Sequence, residues 1–227
     1  MSCYAFIFAR SGSSRLKNKN LKKINGKPLI THSILAAKKV KEIKKIFVST
    51  DSNQISKLAY KLGAIVIKRP KYLCTATSNE WLSWQHAVIW VEKNISNFKK
   101  FVSLPTTSPL RITIDISNSI KKFNKKCDAV ITYTDAKNSP WFNMVKKKGK
   151  FMNLALQGKP IFRFQDAKKL YNICTVAYVT SPKYILNSKG LFDGKVVGSY
   201  VPIERSIDID TKFDLKIAKL LKRNNEN

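Results

Sequence analysis

The chain has 227 residues, 44% of them hydrophobic, a length that suits one domain with ample material for a core. No run approaches the ~20 apolar residues of a membrane-spanning helix, and the short apolar start is no signal peptide, so we expect a cytoplasmic protein without membrane partners. The four cysteines form no CxxC pair, which argues against zinc and favours reduced thiols.

Charge is the most unusual property of the composition. Lys and Arg number 43 against 14 Asp and Glu, giving a formal net charge of +29. Such an excess is typical of proteins that bind nucleic acid or other polyanions. The lysines are nevertheless spread over the whole chain, in pairs such as Lys38-Lys39 and Lys121-Lys122, and no zinc finger or helix-turn-helix pattern gathers them. The pattern favours a solvated, lysine-rich surface over a surface that binds nucleic acid as a partner.

Strands and helices alternate through the first 135 residues. Short apolar runs, as in strands buried on both faces, occur at 4–9, 45–49, 64–67, 101–104 and 129–133. Apolar residues at helical spacing lie between them, at 29–40, 52–62, 79–91 and 113–124. This alternation predicts a three-layer, Rossmann-like α/β fold, in which helices cover both faces of a mainly parallel sheet.

Capping residues fit these boundaries. Asp51 or Ser52 can begin the second helix and Gly63 can end it, while Ser78 or Asn79 can begin the third. Two tryptophans of the third helix fall on one stripe with valines. We interpret that stripe as core packing rather than as a ligand cage.

The alternation changes at about residue 136. Residues 141–145 and 151–156 predict a hairpin, and 171–179 a further strand. We interpret 136–195 as an inserted, β-rich excursion from a single domain of 1–227, used for dimer contacts.

The last part of the chain returns to the main fold. Strands are predicted at 195–201 and 206–210, followed by a helix that Thr211 can cap. The apolar residues on one face of that helix are Phe213, Ile217, Leu220 and Leu221.

The loop after the first strand is a candidate anion-binding site. Ligands of open parallel sheets bind beyond the carboxyl ends of strands. This loop is polar, contains Gly12 for backbone freedom, and carries Arg10, Arg15, Lys17 and Lys19. Backbone N–H groups of such a loop can cradle phosphates that the cations neutralise. It is neither a Walker loop nor a GxGxxG motif, and a merely solvated basic loop is the alternative.

A pair of carboxylates near the C-terminus is a candidate metal site. In a strand at 206–210, alternation sends Ile207 and Ile209 to one face and both Asp208 and Asp210 to the other, about 7 Å apart. Two such carboxylates suit one or two Mg²⁺ ions. Asp210 has a competing role as a helix cap.

A third polar segment follows the strand at 101–104. It reads Pro105-Thr106-Thr107-Ser108-Pro109-Leu110-Arg111, a rigid loop rich in hydroxyls. Arg111 can bind a carboxylate or simply start a helix.

Several short motifs occur in a fixed order from residue 4 to about 215. They are Ala9-Arg10, Lys19-Asn20, Asn25-Gly26-Lys27-Pro28-Leu29, Val48-Ser49-Thr50-Asp51, Lys68-Arg69-Pro70, Thr107-Ser108-Pro109-Leu110-Arg111, Arg163-Phe164-Gln165-Asp166 and Asp208-Ile209-Asp210. As an ordered set they resemble the acylneuraminate cytidylyltransferase family, the synthetases of CMP-sialic acid and related CMP-nonulosonates. The resemblance implies a sheet of the nucleotide-sugar transferase type.

The resemblance also implies how the nucleotide is bound. The reaction would couple CTP to the anomeric hydroxyl of an acidic 3-deoxy-2-keto sugar, releasing pyrophosphate. Residues implied to bind CTP are Ala9, Arg10, Ser11, Gly12, Ser13, Lys19, Asn20, Arg69 and Ser78. Catalysis would depend on Arg10 and Lys19 at the triphosphate and on Mg²⁺ held by Asp208 and Asp210.

The sugar is implied to bind at other segments. Its candidate ligands are Thr107, Ser108, Arg111, Arg163, Gln165 and Asp166. Family members are typically homodimers whose middle segment crosses to the neighbour's site, so Arg163 is a candidate for the sugar carboxylate in the other subunit.

Two segments depart from the family pattern. Pro105-Thr106 replaces a segment that often holds Gln, and Cys174-Thr175-Val176-Ala177-Tyr178 replaces an Asn-Gly-Ala-Ile-Tyr strand. Both lie where family members contact the sugar, so the sugar acid stays open among sialate, legionaminate, pseudaminate and octulosonate. A glycosyltransferase of related fold and a basic nucleic-acid-binding protein are the alternative functions.

Overall fold

The computed structural model describes residues 2–13 and 15–224. Within them the strands are β1 (Cys3–Phe8), β2 (Lys23–Ile24), β3 (Lys27–Pro28), β4 (Ile43–Thr50), β5 (Ile65–Lys68), β6 (Lys100–Ser103), β7 (Ala129–Asp135), β8 (Val145–Lys148), β9 (Phe151–Leu154), β10 (Tyr171–Thr180) and β11 (Val196–Tyr200). The α-helices are α1 (Leu29–Lys38), α2 (Asn53–Lys61), α3 (Glu80–Asn94), α4 (Thr113–Lys122), α5 (Pro182–Asn187) and α6 (Lys212–Asn224).

The main sheet has seven strands in the described residues, in the order β11-β7-β10-β6-β1-β4-β5. Strands β4 and β6 pair in parallel with the central β1, and β5 and β11 extend the sheet in parallel at its two edges. Strand β10 runs antiparallel to both of its neighbours, β6 and β7. The predicted Rossmann-like, mainly parallel sheet is therefore confirmed, with one reversed strand that the pattern did not indicate.

Side-chain alternation along β1 divides the core into two layers. Cys3, Ala5 and Ile7 face a cluster that includes the buried sides of α1, α2 and α4. Tyr4 and Phe6 face the opposite side, where α3 and α5 cover them. Because both faces of β1 are buried, its sequence is apolar throughout.

The second layer is built largely from aromatic rings. Phe6 stacks on Phe101 with ring centroids 4.2 Å apart, and Trp84 lies 5.1 Å from Phe101. Trp81 and Trp84 are both buried in this cluster. The interpretation of their stripe as core packing is confirmed.

One predicted strand is wrong. Residues 206–210 follow a 3₁₀ turn at Ile203–Arg205 and pair with no strand. The apolar alternation there arises because Ile209 is fully buried against Leu16 and Leu29, with Ile207 at the edge of the same cluster. One backbone hydrogen bond, from Ile209 N to Thr107 O at 2.9 Å, joins this segment to the loop after β6.

The buried face of helix α6 differs from the face that the sequence predicts. Ala218 is buried and Leu221 packs beside it, but Phe213 and Leu220 are 69% and 62% exposed. Thr211 caps the helix as expected, since its hydroxyl accepts a hydrogen bond from Asp214 N at 3.2 Å.

The middle segment contains elements of two kinds. Strands β8 and β9 form a separate hairpin that turns at Gly149, whose φ of +61° favours glycine. Strand β10 and helix α5 instead belong to the main sheet and its covering layer. The division of the chain into one domain with an inserted excursion stays a prediction.

Candidate active site

A cavity of about 480 Å³ opens at the carboxyl end of β1. This is the edge where an open parallel sheet normally binds its ligand. Nine of the residues that the sequence assigned to a site line the cavity, and they come from five separate stretches of chain. They are Arg10, Ser13, Arg15, Lys19, Asn20, Arg69, Ser78, Thr107 and Asp210.

The loop after β1 is fixed by hydrogen bonds at both ends. Near its start, the Asp51 carboxylate accepts hydrogen bonds from Ser11 N at 2.8 Å and from Ser11 Oγ at 2.5 Å. Near its end, the buried Asn20 donates to Arg10 O at 2.9 Å and accepts from Thr106 Oγ1 at 2.6 Å. The loop is therefore closed on itself and tied to the ends of β4 and β6.

Asp210 supplies the counter-charge of this loop. Arg15 Nη1 lies 2.6 Å from Asp210 Oδ2, and Lys19 Nζ lies 2.9 Å from Asp210 Oδ1. Its side chain does not cap α6, because Asp214 and Thr211 bond each other there. The competing role of Asp210 as a cap is thus filled by Thr211.

Arg69 forms a second cationic wall, at the end of β5. Its Nε donates to Ser49 Oγ at 3.1 Å and its Nη2 donates to Ser49 O at 2.9 Å. The guanidinium also lies 5.4 Å from the centroid of the Phe8 ring. Burial lowers the pKa of Arg69, but an arginine so bonded stays protonated at neutral pH.

Glu80 is an acidic residue that lines the cavity together with Arg69, and the sequence analysis did not single it out. It is the first residue of α3, lines the cavity, and accepts a hydrogen bond from Trp84 Nε1 at 3.3 Å. Desolvation by the surrounding protein raises its pKa. The carboxylate is open to the cavity, where it can accept a hydrogen bond from a ligand N–H or O–H.

A cluster of hydroxyls forms a further wall of the cavity. Thr175 Oγ1 lies 3.0 Å from Thr107 Oγ1 and 2.6 Å from Ser108 Oγ. Tyr178, on the same strand as Thr175, also lines the cavity, and burial raises the pKa of its phenol so that it stays neutral. The pairing of β10 with β7 shifts register between Cys174 and Tyr178, and Thr175 and Tyr178 both line the cavity.

Asp208 lies just outside this lining. It is exposed, and within the described residues its carboxylate makes no hydrogen bond or ion pair. Its charge nevertheless acts on Tyr178 and Glu80, so Asp208 lies near both residues. The described part of the chain brings no three His, Cys, Asp or Glu side chains together as a cage.

This donor set fits Mg²⁺. Mg²⁺ is usually held by one or two carboxylates, with substrate phosphates and water completing an octahedron. Asp208 and Asp210 supply two carboxylates beside a cavity rich in cations, where phosphates would lie. Asp208 is free to take a metal, whereas Asp210 must exchange Arg15 and Lys19 for it.

Several predicted residues lie elsewhere. Arg111 is buried beneath the loop after β6, where it donates to Ser33 Oγ at 3.1 Å and to the carbonyls of Pro105 and Thr175. Arg163 and Asp166 form an exposed ion pair of 2.8 Å outside the cavity. Others that do not line it are Ala9, Ser11, Gly12, Ser108 and Gln165.

The backbone freedom expected at Gly12 is used at another residue. In this loop the positive φ belongs to Asn18, at +55°. Ser14 of the same loop lies outside the described residues.

Several residues that line the cavity were not assigned to the site from the sequence. They include Phe8, Glu80, Thr106, Thr175 and Tyr178. Thr106, Thr175 and Tyr178 lie in the two segments that depart from the family pattern, and this departure was the signal available for finding them.

Comparison with known proteins supports the family resemblance that the sequence motifs indicate. A family model described as cytidylyltransferase matches residues 4–80. The chain is 32% identical to a CMP-N,N'-diacetyllegionaminic acid synthase of Campylobacter jejuni over 95% of this chain and 92% of that protein. It is 29% identical to an N-acylneuraminate cytidylyltransferase of Streptococcus agalactiae, over 94% of this chain and 52% of that protein.

The chain belongs to the acylneuraminate cytidylyltransferase family. It is accordingly a nucleotidyltransferase. Among solved structures, a CMP:2-keto-3-deoxy-manno-octonic acid synthetase complexed with CTP superposes with a TM-score of 0.73 at 16% identity, covering 99% of this chain and all of that one. This likeness shows that the fold is shared. Within the described residues, every helix is too short or too polar to cross a membrane.

The Asp51–Ser11 contact gives a pH-dependent prediction. Burial raises the pKa of Asp51, but the hydrogen bonds from Ser11 outweigh this and lower it overall. Because the folded-state pKa is depressed, the contact is present at neutral pH and is lost as pH falls through that pKa. We expect the NMR resonance of the Ser11 amide to titrate with an apparent pKa below about 3.9.

The control is Asp51→Asn, in which this titration should disappear, while Asp193→Asn should leave it unchanged. The measurement applies to the pH range in which near-UV circular dichroism stays native. A Ser11 titration at or above the ordinary aspartate value would contradict the contact.

Proposed function

We propose that this cytidylyltransferase couples CTP to the anomeric hydroxyl of an acidic 3-deoxy-2-keto sugar, forming a CMP-sugar and pyrophosphate. The observation that carries the proposal is the cationic cavity at the carboxyl end of β1 with Asp210 across it. The names of the Campylobacter and Streptococcus relatives supply the substrate class.

The charges of the cavity suit a triphosphate. Arg10, Arg15, Lys19 and Arg69 line it, against the two acids Glu80 and Asp210. The excess of positive charge in a concave site favours a polyanion. We assign the phosphates to Arg10, Arg15 and Lys19, and the nucleoside to the end that Arg69 and Ser78 line.

The reaction needs positioning and charge neutralisation rather than a covalent nucleophile. The anomeric oxygen forms a bond to the α-phosphorus, the bond from that phosphorus to the bridging oxygen breaks, and the hydroxyl proton passes to solvent. Lys19 and Arg15 neutralise charge on the leaving pyrophosphate, while Asn20 and Asp51 hold the loop that carries them. Fixed donors of this kind are typically worth about 10²–10³ in rate each.

The proposal includes Mg²⁺ held by Asp208 and Asp210. When bound, the ion would neutralise phosphate charge and lower the pKa of the attacking hydroxyl. Asp210 would then bind the metal instead of Arg15 and Lys19, and these two cations would bind the nucleotide.

We assign the sugar to the hydroxyl wall, where Thr107, Thr175 and Tyr178 line the cavity. These neutral donors and acceptors suit a polyhydroxylated ligand. Among the described residues the wall offers no arginine for the sugar carboxylate, because Arg111 is turned beneath the loop.

A second subunit would supply that arginine. Apolar side chains of the 136–195 segment, which contains Arg163, are exposed, including Phe151, Met152 and Phe162 at 65%, 65% and 87%. Exposed apolar surface of this extent is typical of an interface. We propose a homodimer in which 136–195 contributes Arg163 to the partner's cavity. The four free cysteines support a reducing location such as the cytoplasm.

The first prediction of this proposal is substrate selectivity. Pyrophosphate release should require Mg²⁺, CTP, and one of sialate, legionaminate, pseudaminate or 3-deoxy-octulosonate. Release with ATP, GTP or UTP in place of CTP would contradict the nucleotide assignment. No release with any of the acids would contradict the function, and CMP-sugar consumption without pyrophosphate release would favour a glycosyltransferase.

The second prediction concerns the two aspartates. Asp208→Asn and Asp210→Asn should each lower kcat by about 100-fold or more, because charge stabilisation at the phosphates is lost. Binding of Mn²⁺ in the presence of CTP, followed by electron paramagnetic resonance, should weaken in both variants. Asp193→Asn is the matched control and should leave both readouts unchanged. Full activity in the two site variants would exclude the metal role.

The third prediction concerns the partner subunit. Arg163→Ala and Asp210→Asn should each be inactive alone. Mixed and re-equilibrated, they should recover about a quarter of wild-type activity, because about half of the dimers are mixed and each has one intact site. No recovery, with a dimer confirmed by sedimentation, would place Arg163 in its own subunit's site. A monomer in sedimentation would contradict the dimer itself.

A further inference from the structure

A second cavity, of about 330 Å³, lies between α1, the start of α4 and α6. No residue that lines it also lines the active-site cavity. Its polar lining includes Lys27, His32, Lys39, Arg111, Thr113 and Lys222. Of the residues that the structure describes, those lining this second cavity include no Asp or Glu.

The charged side chains that line the second cavity in the described residues are all positive. Lys27, Lys39 and Lys222 come from three separate elements and converge on one concave surface. Like charges in a concavity reinforce each other's potential and attract anions. Burial lowers the pKa of His32, so the histidine adds a polar but uncharged group.

Arg111 makes this cavity more than a group of surface lysines. It is only 4% exposed and lines the cavity, yet within the described residues its Nε has no hydrogen-bond partner. A buried donor without a partner is costly and uncommon in native proteins. The acid beside it, Asp115, is already held by Arg205 at 2.9 and 3.0 Å. Burial lowers the pKa of Arg111 to about 9, so the guanidinium is charged at neutral pH, although within the described residues it forms no direct ion pair with Asp115 or Asp208.

The start of α4 points to the same kind of ligand. Its N-cap residue is Ile112, which has no side-chain acceptor, so no side chain caps the amides of the first turn. The Asp115 carboxylate accepts from Ile112 N at 3.1 Å, outside the helix proper. Thr113, the first helical residue, lines the cavity. Uncapped amides at a helix start bind phosphate well.

We propose that the second cavity is a binding site for a small phosphate-bearing anion, held by Lys39, Lys222, Arg111 and the first turn of α4. The anion supplies an acceptor for Arg111 Nε and the acceptor that the Ile112 side chain cannot offer. A volume of about 330 Å³ holds an inorganic phosphate or pyrophosphate with several waters. The site is independent of the proposed reaction.

Calorimetry of the full chain with inorganic pyrophosphate tests the site, at constant ionic strength set with KCl. Wild type should bind at two sites, the active-site cavity and the second cavity. Lys19→Ala should weaken only the former. Lys39→Ala/Lys222→Ala should weaken only the latter, by about tenfold or more, since each lost charged contact is worth at least a factor of this order.

The matched control is Lys57→Ala/Lys61→Ala, which removes the same charge from the exposed face of α2 and should retain both sites. NMR resonances of the Thr113 and Ile114 amides should move as pyrophosphate is added to the Lys19→Ala variant. Inorganic phosphate in a parallel titration shows whether one phosphate group suffices. Loss of all pyrophosphate binding in Lys19→Ala, or equal binding by the two double variants, would overturn the proposal.

Discussion

The loop after β1 is held between two carboxylates, and the shape of the active-site cavity depends on both. Asp51 accepts hydrogen bonds at the start of the loop, and Asp210 pairs with two cations farther along it. Without counter-charges, Arg15 and Lys19 would repel each other and the nearby Arg10. The two acids come from residues about 160 apart in the chain, so the loop takes its conformation only when the whole domain has folded.

That dependence explains the path of the C-terminal segment. Residues 206–210 join no strand, yet Ile209 is anchored in the cluster of Leu16 and Leu29, and its amide bonds Thr107 O. Burying one isoleucine side chain is worth about 1.5–3 kcal/mol. This apolar anchor brings Asp210 across from the loop and leaves Asp208 free beside it.

Much of the fold follows from local pattern. Each predicted strand of the first 135 residues and each helix between them is present, because buried apolar runs and helical periodicity are local signals. Residues 206–210 show the limit of this reasoning, since alternation reports which side chains are buried but not whether a neighbouring strand exists. Strand β10 runs antiparallel because of the path that the chain takes after residue 136. No local sequence pattern predicts that path.

The residues of the candidate site likewise divide into those that a local sequence pattern predicts and those that it does not. Arg10, Lys19 and Asn20 were predictable because one short loop carries them at the end of a strand. Thr175 and Tyr178 could be singled out only as part of a segment that departs from the family pattern, because the pairing of their antiparallel strand is irregular there and leaves no local signal. Arg111 was expected at the ligand, but its hydrogen bonds to Ser33, Pro105 and Thr175 make it a support of the cavity wall.

The ion pairs of Asp210 also act as a filter. A simple anion such as chloride that approaches Arg15 and Lys19 must displace a carboxylate that is already tethered there at high effective concentration. A ligand that brings its own cation can compensate Asp210 while it takes the arginine and the lysine. The cavity therefore favours metal-bound polyphosphates over simple anions such as chloride before any contact with base or sugar is made.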